Sequence, residues 1–561
     1  MSEGAAWHRI GPAEELPDGT LRRAEVAGRA ICVGRVEGGW VAFDDTCTHE
    51  ECPLSDGELD GAVVVCPCHG SEFDVRTGDV LSPPALEPLP IFDVRVEGGA
   101  LEVRLEPTAA AAEATTQRDR HVVASSTTPT VAEPSIDGLT LDEIDLSDLD
   151  TWVEGVPHAW LALLRRHAPL RWQDEQDGSG YWSFTRYDDI VAVSKDHETY
   201  SSETGGTSLE DLTPSQVEAR KSMLDTDPPQ HTRMRALVNK GFTPKVVNAY
   251  EARIRGLARD ILARAFERPA FDWVGDVAAE LPMWVFSEIM GLPVDDRKLL
   301  IDFGDKLLGN TDPDVVGEEY TFGSADLSEF KELPFSSPYA RDLIEYGRTL
   351  GDARRGEPRD DVTTKLVEAE VDGERLDDRE FGVFFILLTT AGNETTRHTI
   401  SLGLQALLEH PDEAARLRDD PSLASTAADE ILRFAHPVHH FRRTATRDVE
   451  AHGQTIHAGD KVVIWYASGN FDEDRFADPY RFDVGRTPNR HLTFGLGGPH
   501  FCLGAHLAKL EVKIWLEEMI PYLDRVELAG PPERLRSNFF NGIKRMPVLV
   551  CVSHPRSARG V

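Results

Sequence analysis

The chain has 561 residues, 40% of them hydrophobic and 28% charged, with a formal net charge of −38. It is too long for one ordinary core, and its composition is that of a folded globular protein. The charge argues against nucleic acid and anionic membrane surfaces as partners. Residues 1–105 hold 8 Arg, no Lys and 20 Asp or Glu, a net of −12, which leaves −26 for the remainder. The surplus acid serves solubility; a docking surface for a basic redox partner is the alternative. Met1–Pro17 has no basic start followed by an apolar stretch, so no signal peptide is expected. The longest strongly apolar segment, Val383–Leu388 and its flanks, is far short of the roughly 20 residues of a membrane span. A cytoplasmic protein without a transmembrane anchor is expected.

Residues 5–105 are predicted to be β-rich. Ala30–Val36, Trp40–Phe43, Ala62–Val65, Ile91–Val96 and Ala100–Leu105 are short β-branched or alternating runs separated by Gly and Asp turns. This pattern suits a small antiparallel all-β domain. Four of the seven cysteines crowd into Cys47–Cys68, which in a cytosolic protein reads as metal binding before a disulfide scaffold. From Glu106 to about Asp137 the chain is rich in Ala, Pro, Thr and Ser, as expected of a flexible linker spanning roughly 30 Å. Helical patterns then dominate: Val156–His167, Val246–Phe266, Phe381–Glu409 and Gly504–Tyr522. Short strands such as Tyr181–Thr185 and Lys461–Ile464 interrupt them. The expected organisation is 1–106, a linker over 107–137, and 138–561, with no internal repeat.

From Cys47 the sequence reads C-T-H-E-E-C, and from Cys66 it reads C-P-C-H-G-S-E-F-D. Cys47-x-His49 and Cys66-x-x-His69 are two Cys-plus-His pairs on two tight loops. They suit a two-iron, two-sulfide cluster, with thiolates Cys47 and Cys66 on one iron and imidazoles His49 and His69 on the other. A zinc site is the alternative, though zinc favours Cys-x₂₋₄-Cys spacing. With Pro67, Gly70 and Ser71, the pattern resembles the Rieske [2Fe-2S] family, here expected as an antiparallel sandwich with cluster-binding loops. Neutral imidazoles raise the cluster potential to about −150 to +300 mV for the class. Respiratory members carry a Tyr where this chain has Phe73, and loss of that donor lowers the potential. Cys52 and Cys68 stand where those members form a disulfide. A reducing cytosol argues against the bond and a shielded pocket argues for it. Cys32 is expected in the core.

The strongest signal downstream is Phe494-Gly-Leu-Gly-Gly-Pro-His-Phe-Cys502-Leu-Gly504. It resembles the heme-binding loop of cytochromes P-450, with one more residue between Phe and Cys than the commonest spacing. That variant is found in bacterial families acting on sterols and branched lipids. The resemblance implies a mainly α fold with small β-sheets and heme b held by Cys502. Three more segments match the same family in order. Glu430-Ile-Leu-Arg433 resembles its Glu-x-x-Arg motif, with Arg481 as the expected third member. Asp227–Arg235 resembles the helix that cradles the heme propionates: His231 and Arg235 lie one turn apart, and Arg443 and His500 match the other donors. Ala391-Gly392-Asn393-Glu394-Thr395-Thr396 resembles the oxygen-activating groove of the central helix. There Gly392 admits ligand, Thr395 hydrogen-bonds in the groove and Glu394 relays protons. The segment Glu203–Met223 is expected as a loop over the substrate.

These resemblances imply a monooxygenase that uses O₂ on an apolar small molecule, with a steroid, terpenoid or branched lipid the expected class. Electrons would come through the fused Rieske cluster from a separate NAD(P)H-dependent flavoprotein reductase, because no flavin or nicotinamide motif is found. Two alternatives are a non-heme dioxygenase built on His436, His439 and His440, and a non-catalytic heme and cluster sensor.

Overall fold

The computed structural model describes residues 7–551 except 14–15, 37, 49–51, 67–70, 83–84, 86, 108–132, 176–177, 240, 323–326, 371–372 and 374. The expected linker falls largely within 108–132, outside the described residues. The chain forms two compact units.

Among its described residues the first unit contains ten strands: β1 (Trp7–Pro12), β2 (Leu21–Val26), β3 (Arg29–Val36), β4 (Gly39–Asp44), β5 (Glu58–Asp60), β6 (Val63–Val65), β7 (Glu72–Asp74), β8 (Val80–Ser82), β9 (Ile91–Glu97) and β10 (Ala100–Pro107). Six form an antiparallel sheet in the order β1-β10-β9-β4-β3-β2, and the other four a second sheet, β5-β6-β7-β8. Strand β3 is buried on both faces. Its period-two alternation sends Ile31 and Val33 into one apolar cluster and Cys32 and Val36 into another. Ala42 and Phe43 of β4 divide the same way, as do Phe92 and Ile91 of β9. The cluster holding Cys32, Phe43 and Ile91 also takes Val64 and Phe73 from the second sheet and Val75 from the turn after β7. Strands β4 and β9 are partners, Ala42 opposite Phe92 and Phe43 opposite Ile91, so the chain leaves the sheet after β4 and rejoins it beside β4 at β9.

Strands β1, β2, β5, β7 and β8 were not apparent from the sequence. β2 reads Leu-Arg-Arg-Ala-Glu-Val, too polar for the strand pattern. It is a strand because β3 pairs with it along its whole length, and because Gly34 leaves room: a Cβ there would lie 2.9 Å from Leu21 Cδ2.

The second unit is mainly helical around the 32-residue helix Asp378–Glu409. This helix starts three residues before the expected Phe381. Asp377 accepts from the Glu380 N–H at 2.7 Å and the Glu380 carboxylate accepts from the Asp377 N–H at 3.0 Å, a reciprocal capping box. The helix expected from Val156 begins at His158, because Pro157 disfavours the helical region for the residue before it. The helix expected over Val246–Phe266 is two, Pro244–Asn248 and Glu251–Ala265. Tight i to i−3 bonds at Tyr250 and Arg253, both 3.0 Å, turn the chain between them. Part of the expected loop Glu203–Met223 is helical over Pro214–Arg220, capped by Thr213. A five-stranded sheet runs Leu170–Gln173, Tyr181–Phe184, Lys461–Trp465, His440–Ala445, Tyr200–Ser201. Among the described residues no helix is long and apolar enough to cross a membrane.

Candidate functional site

The segment carrying Cys502 is a glycine-shaped turn followed by a helix. Gly495, Gly497 and Gly498 take φ of 71°, 78° and 78°, the left-handed region that favours glycine. The helix Ala505–Met519 starts three residues past Cys502, so its positive end favours a thiolate there. Cys502 and His500 are both partly exposed. Phe494 packs on His491 with ring centroids 5.6 Å apart.

On the central helix almost every residue from Phe381 to Leu407 is buried, yet Ala391 and Gly392 are exposed. A Cβ at Gly392 would meet nothing nearer than Phe286 at 3.9 Å, so open space runs beside the helix there. Thr395 stands at the edge of that space, half-buried, with its hydroxyl donating to the Ala391 carbonyl at 2.6 Å. Thr389, Thr390, Thr399 and Ser401 make the same bond one turn back. The position of Thr395 beside the opening distinguishes it, not the bond.

Glu394 points the other way. It is buried, forms a close ion pair with Arg397, and accepts from Asn393 Nδ2 at 2.8 Å. Asp305 of helix Arg297–Leu308 holds the same Arg397 guanidinium, and His398 Nε2 lies 3.9 Å from Glu394. Burial pushes the Glu394 carboxyl upward, Arg397 opposes this, and Asp305 adds to it. His398 is held well below the imidazole range by burial and by Arg397. Asp305 and Arg397 were missed from the sequence.

Three of the four expected propionate donors, His231, Arg235 and Arg443, are buried near one another. His231 and Arg235 share one face of helix Gln230–Asn239, and both are buried. Burial, with Arg235 and Arg443 nearby, drives His231 down to about 3. Arg443 is buried on strand His440–Ala445 and forms no ion pair with any described residue; its Nη1 donates to the Arg442 carbonyl at 2.8 Å. Arg442 leads away, to the carbonyls of Ser208 and Glu210 at 3.2 and 2.8 Å.

Glu430 and Arg433 form a fully buried two-pronged pair, both bonds 2.8 Å. The expected third member, Arg481, is a correction. The guanidinium that reaches Glu430 is that of Arg486, whose Nε lies 3.1 and 3.0 Å from its two oxygens. Arg481 supplies its carbonyl to Arg433 and Arg486, while its side chain faces Glu413 at 3.6 Å. The chain turns between Arg481 and Arg486, so the later arginine falls over the carboxylate. Asn489 completes the set at 3.1 Å. His436, His439 and His440 are buried and held neutral by burial. Among the described residues no group of three His, Cys, Asp or Glu side chains that could hold a metal is found.

In the first unit Cys47 and Cys66 are buried in one apolar cluster. The Cys47 N–H bonds the Cys52 carbonyl at 2.9 Å, and the Cys66 N–H bonds the Ser71 carbonyl at 2.8 Å, so each thiol sits at the neck of a short loop. Ser71 Oγ accepts from the Ala85 N–H at 3.0 Å. Cys52 is disulfide-bonded. His49, Cys68 and His69 lie outside the described residues. Phe73 is fully buried, and Cys32 is a core residue whose thiol is pushed up by burial.

Comparison with known proteins matches residues 6–93 to the Rieske [2Fe-2S] domain and residues 181–532 to Cytochrome P450. The chain belongs to the cytochrome P450 family. It is an N-terminal Rieske domain fused to a C-terminal P450. A methyl-branched lipid omega-hydroxylase of Mycobacterium tuberculosis is 40% identical over 419 residues, 72% of this chain and 94% of that one. A steroid C26-monooxygenase of Rhodococcus jostii is 35% identical over 428 residues, 74% of this chain and 86% of that one. A Mycobacterium marinum cytochrome P450 solved with pseudoionone is 37% identical, with a TM-score of 0.66 over 74% of this chain and all of that one. The protein is a P450 monooxygenase.

The residues fit both cofactors of these families. The P450 has a cysteine on a glycine-shaped turn, open space beside the central helix, and two buried arginines, Arg235 and Arg443, suited to the carboxylates of a heme. The Rieske domain has two buried thiols on paired loops. Heme bound through a thiolate supplies oxygen activation, and the [2Fe-2S] cluster supplies one-electron transfer.

Proposed function

We propose that this P450 hydroxylates a bulky, apolar, largely hydrocarbon substrate, of the steroid, terpenoid or branched-lipid class, with electrons supplied through its own Rieske domain. The opening at Ala391–Gly392 beside Thr395, in a helix otherwise buried, carries this reading. The activities named for the relatives support the substrate class. Cys502 is the heme ligand, with Phe494 beside its loop, and His231, Arg235, Arg443 and His500 hold the propionates. Gly392 admits the ligand, Thr395 offers its hydroxyl to the groove for hydrogen bonding, and Glu394 relays protons. Cys47, His49, Cys66 and His69 hold the cluster, and Cys52 with Cys68 ties its loops. Phe73 lowers the cluster potential by offering no hydroxyl.

The electron source is a separate NAD(P)H-dependent flavoprotein reductase. The linker, 107–137 between domains 1–106 and 138–561, keeps the donor at about millimolar effective concentration. Purified protein titrated with steroids, terpenes and branched fatty acids should show a low-to-high spin shift with at least one class. Silence across all three would sink the substrate assignment. Turnover with reductase, NADPH and O₂ separates an enzyme from a sensor. Cutting the linker should lower turnover at dilute protein, with recovery on adding excess N-terminal piece.

A further inference from the structure

Helix Arg297–Leu308 touches the central helix with two adjacent residues, Gly304 and Asp305. A Cβ at Gly304 would lie 3.3 Å from Glu394 Oε1, so the bare backbone makes room for that carboxyl. Asp305 reaches the Arg397 guanidinium that Glu394 also holds. One buried cation therefore serves two carboxylates, and they are unequal. The Asp305 side chain is 36% exposed and the Glu394 side chain 2%. Charge is easier to keep on the wetter acid, and two like charges at one site resist ionising together.

The other neighbours do not change that balance. Arg397 and His398 are the titratable groups on Glu394's own helix, and His398 is neutral. Asp305 is the charged group facing it from helix Arg297–Leu308. Helix Glu280–Met290 offers the Phe286 ring near Gly392, and the backbone at Gly542 closes against His398. Asp305 is thus the negative charge that competes with Glu394 for Arg397.

We propose that Asp305 is a positioning residue for proton delivery: by engaging Arg397 from the neighbouring helix, it leaves Glu394 free to hold a proton. This rests on the relay role proposed for Glu394. Without Asp305, Arg397 has Glu394 as its remaining acid partner and keeps it as a carboxylate. Glu394 gives its proton to oxygen being reduced toward water, one O–H bond breaking at the carboxyl as another forms, and it regains a proton from solvent. The upward push of burial on Glu394 acts in the same sense.

The test uses the full-length holoenzyme and an infrared pH titration. The protonated-carboxyl band that disappears in Glu394→Gln belongs to Glu394. In Asp305→Asn its midpoint should fall by about one pH unit or more, a tenfold loss of proton affinity, while Asp305→Glu should restore it. Product formed per NADPH consumed should fall in Asp305→Asn at neutral pH and recover toward acid. An unmoved midpoint in Asp305→Asn overturns the proposal. Asp305→Ala gives the same reading if the amide variant does not fold. If Glu394→Gln couples as well as the wild type, the relay reading itself fails. If Glu394→Gln is defective but Asp305→Asn titrates normally, only the role of Asp305 is lost.

Discussion

Replacing Arg486 with Gln removes one of the two guanidiniums that Glu430 holds. Arg486 Nε bridges both Glu430 oxygens, and its two Nη atoms donate to the carbonyls of Ala477, Asp478 and Arg481 at 2.7, 3.1 and 2.8 Å. Removing one partner of a buried ion pair costs about 3–5 kcal/mol. Glu430 keeps Arg433, and Arg486 is slightly exposed, so the low end applies, about 3 kcal/mol. The Arg481 side chain faces Glu413 at 3.6 Å and is itself partly exposed; its replacement by Gln costs about 1 kcal/mol or less. Unfolding entropy near 60 °C is roughly 2.1 cal/mol/K per residue, so a unit of about 400 residues loses ~1 °C in Tm per 0.8 kcal/mol. Arg486→Gln should therefore lower the unfolding midpoint by about 3–4 °C and Arg481→Gln by about 1 °C or less. Thermal scans followed by helical circular dichroism, both variants side by side with heme bound, make the comparison. A midpoint for Arg481→Gln at or below that of Arg486→Gln would refute the assignment.

Cys47→Ser or Cys66→Ser should abolish the iron–sulfur electron paramagnetic resonance signal and leave the reduced carbon-monoxide heme spectrum intact; Cys502→Ser should do the reverse. Glu511 is buried, its Oε2 has no hydrogen-bond partner, and burial raises it to about 8. Its folded state thus keeps a proton that the unfolded chain has already lost above the ordinary carboxylate range. Stability from this group falls as pH rises toward 8, by at most about 1.4 kcal/mol per unit. Glu511→Gln should gain on the wild type in urea midpoint between pH 5.5 and 8, and parallel pH profiles would count against it. A Cβ at Gly347 would lie 2.8 Å from Phe385 on the central helix. Gly347→Ala should destabilise by about 1–3 kcal/mol, read by the same denaturation.

The Rieske domain was legible because coordination of a cluster forces Cys and His into close spacing on a short loop. The groove was legible because Glu394, Thr395 and Thr396 interrupt an apolar helix, where polar groups need a reason. What could not be read were partners brought together by folding. Arg397 and Asp305 are 92 positions apart, and each looks like the charged side of an amphipathic helix. Arg481 and Arg486 lie in one irregular segment, and only the path of the backbone decides which guanidinium meets Glu430. Strands β5, β7 and β8 are three residues each, too short for alternation to register. The helix start at Asp378 was readable after all, since Asp377 and Glu380 are the two halves of a capping box.

The pairing of β4 with β9 has a consequence for how an electron carrier can change. The segment 45–90 leaves and re-enters the six-stranded sheet at directly opposed residues, Phe43 and Ile91. Cys47, Cys52, Cys66 and Phe73 all belong to that excursion, and none of them lies on the six-stranded sheet. A foreign excursion of different length or potential needs only to match two adjacent strand ends. The voltage of such a domain can drift while its framework, and whatever is joined after β10, stays as it was.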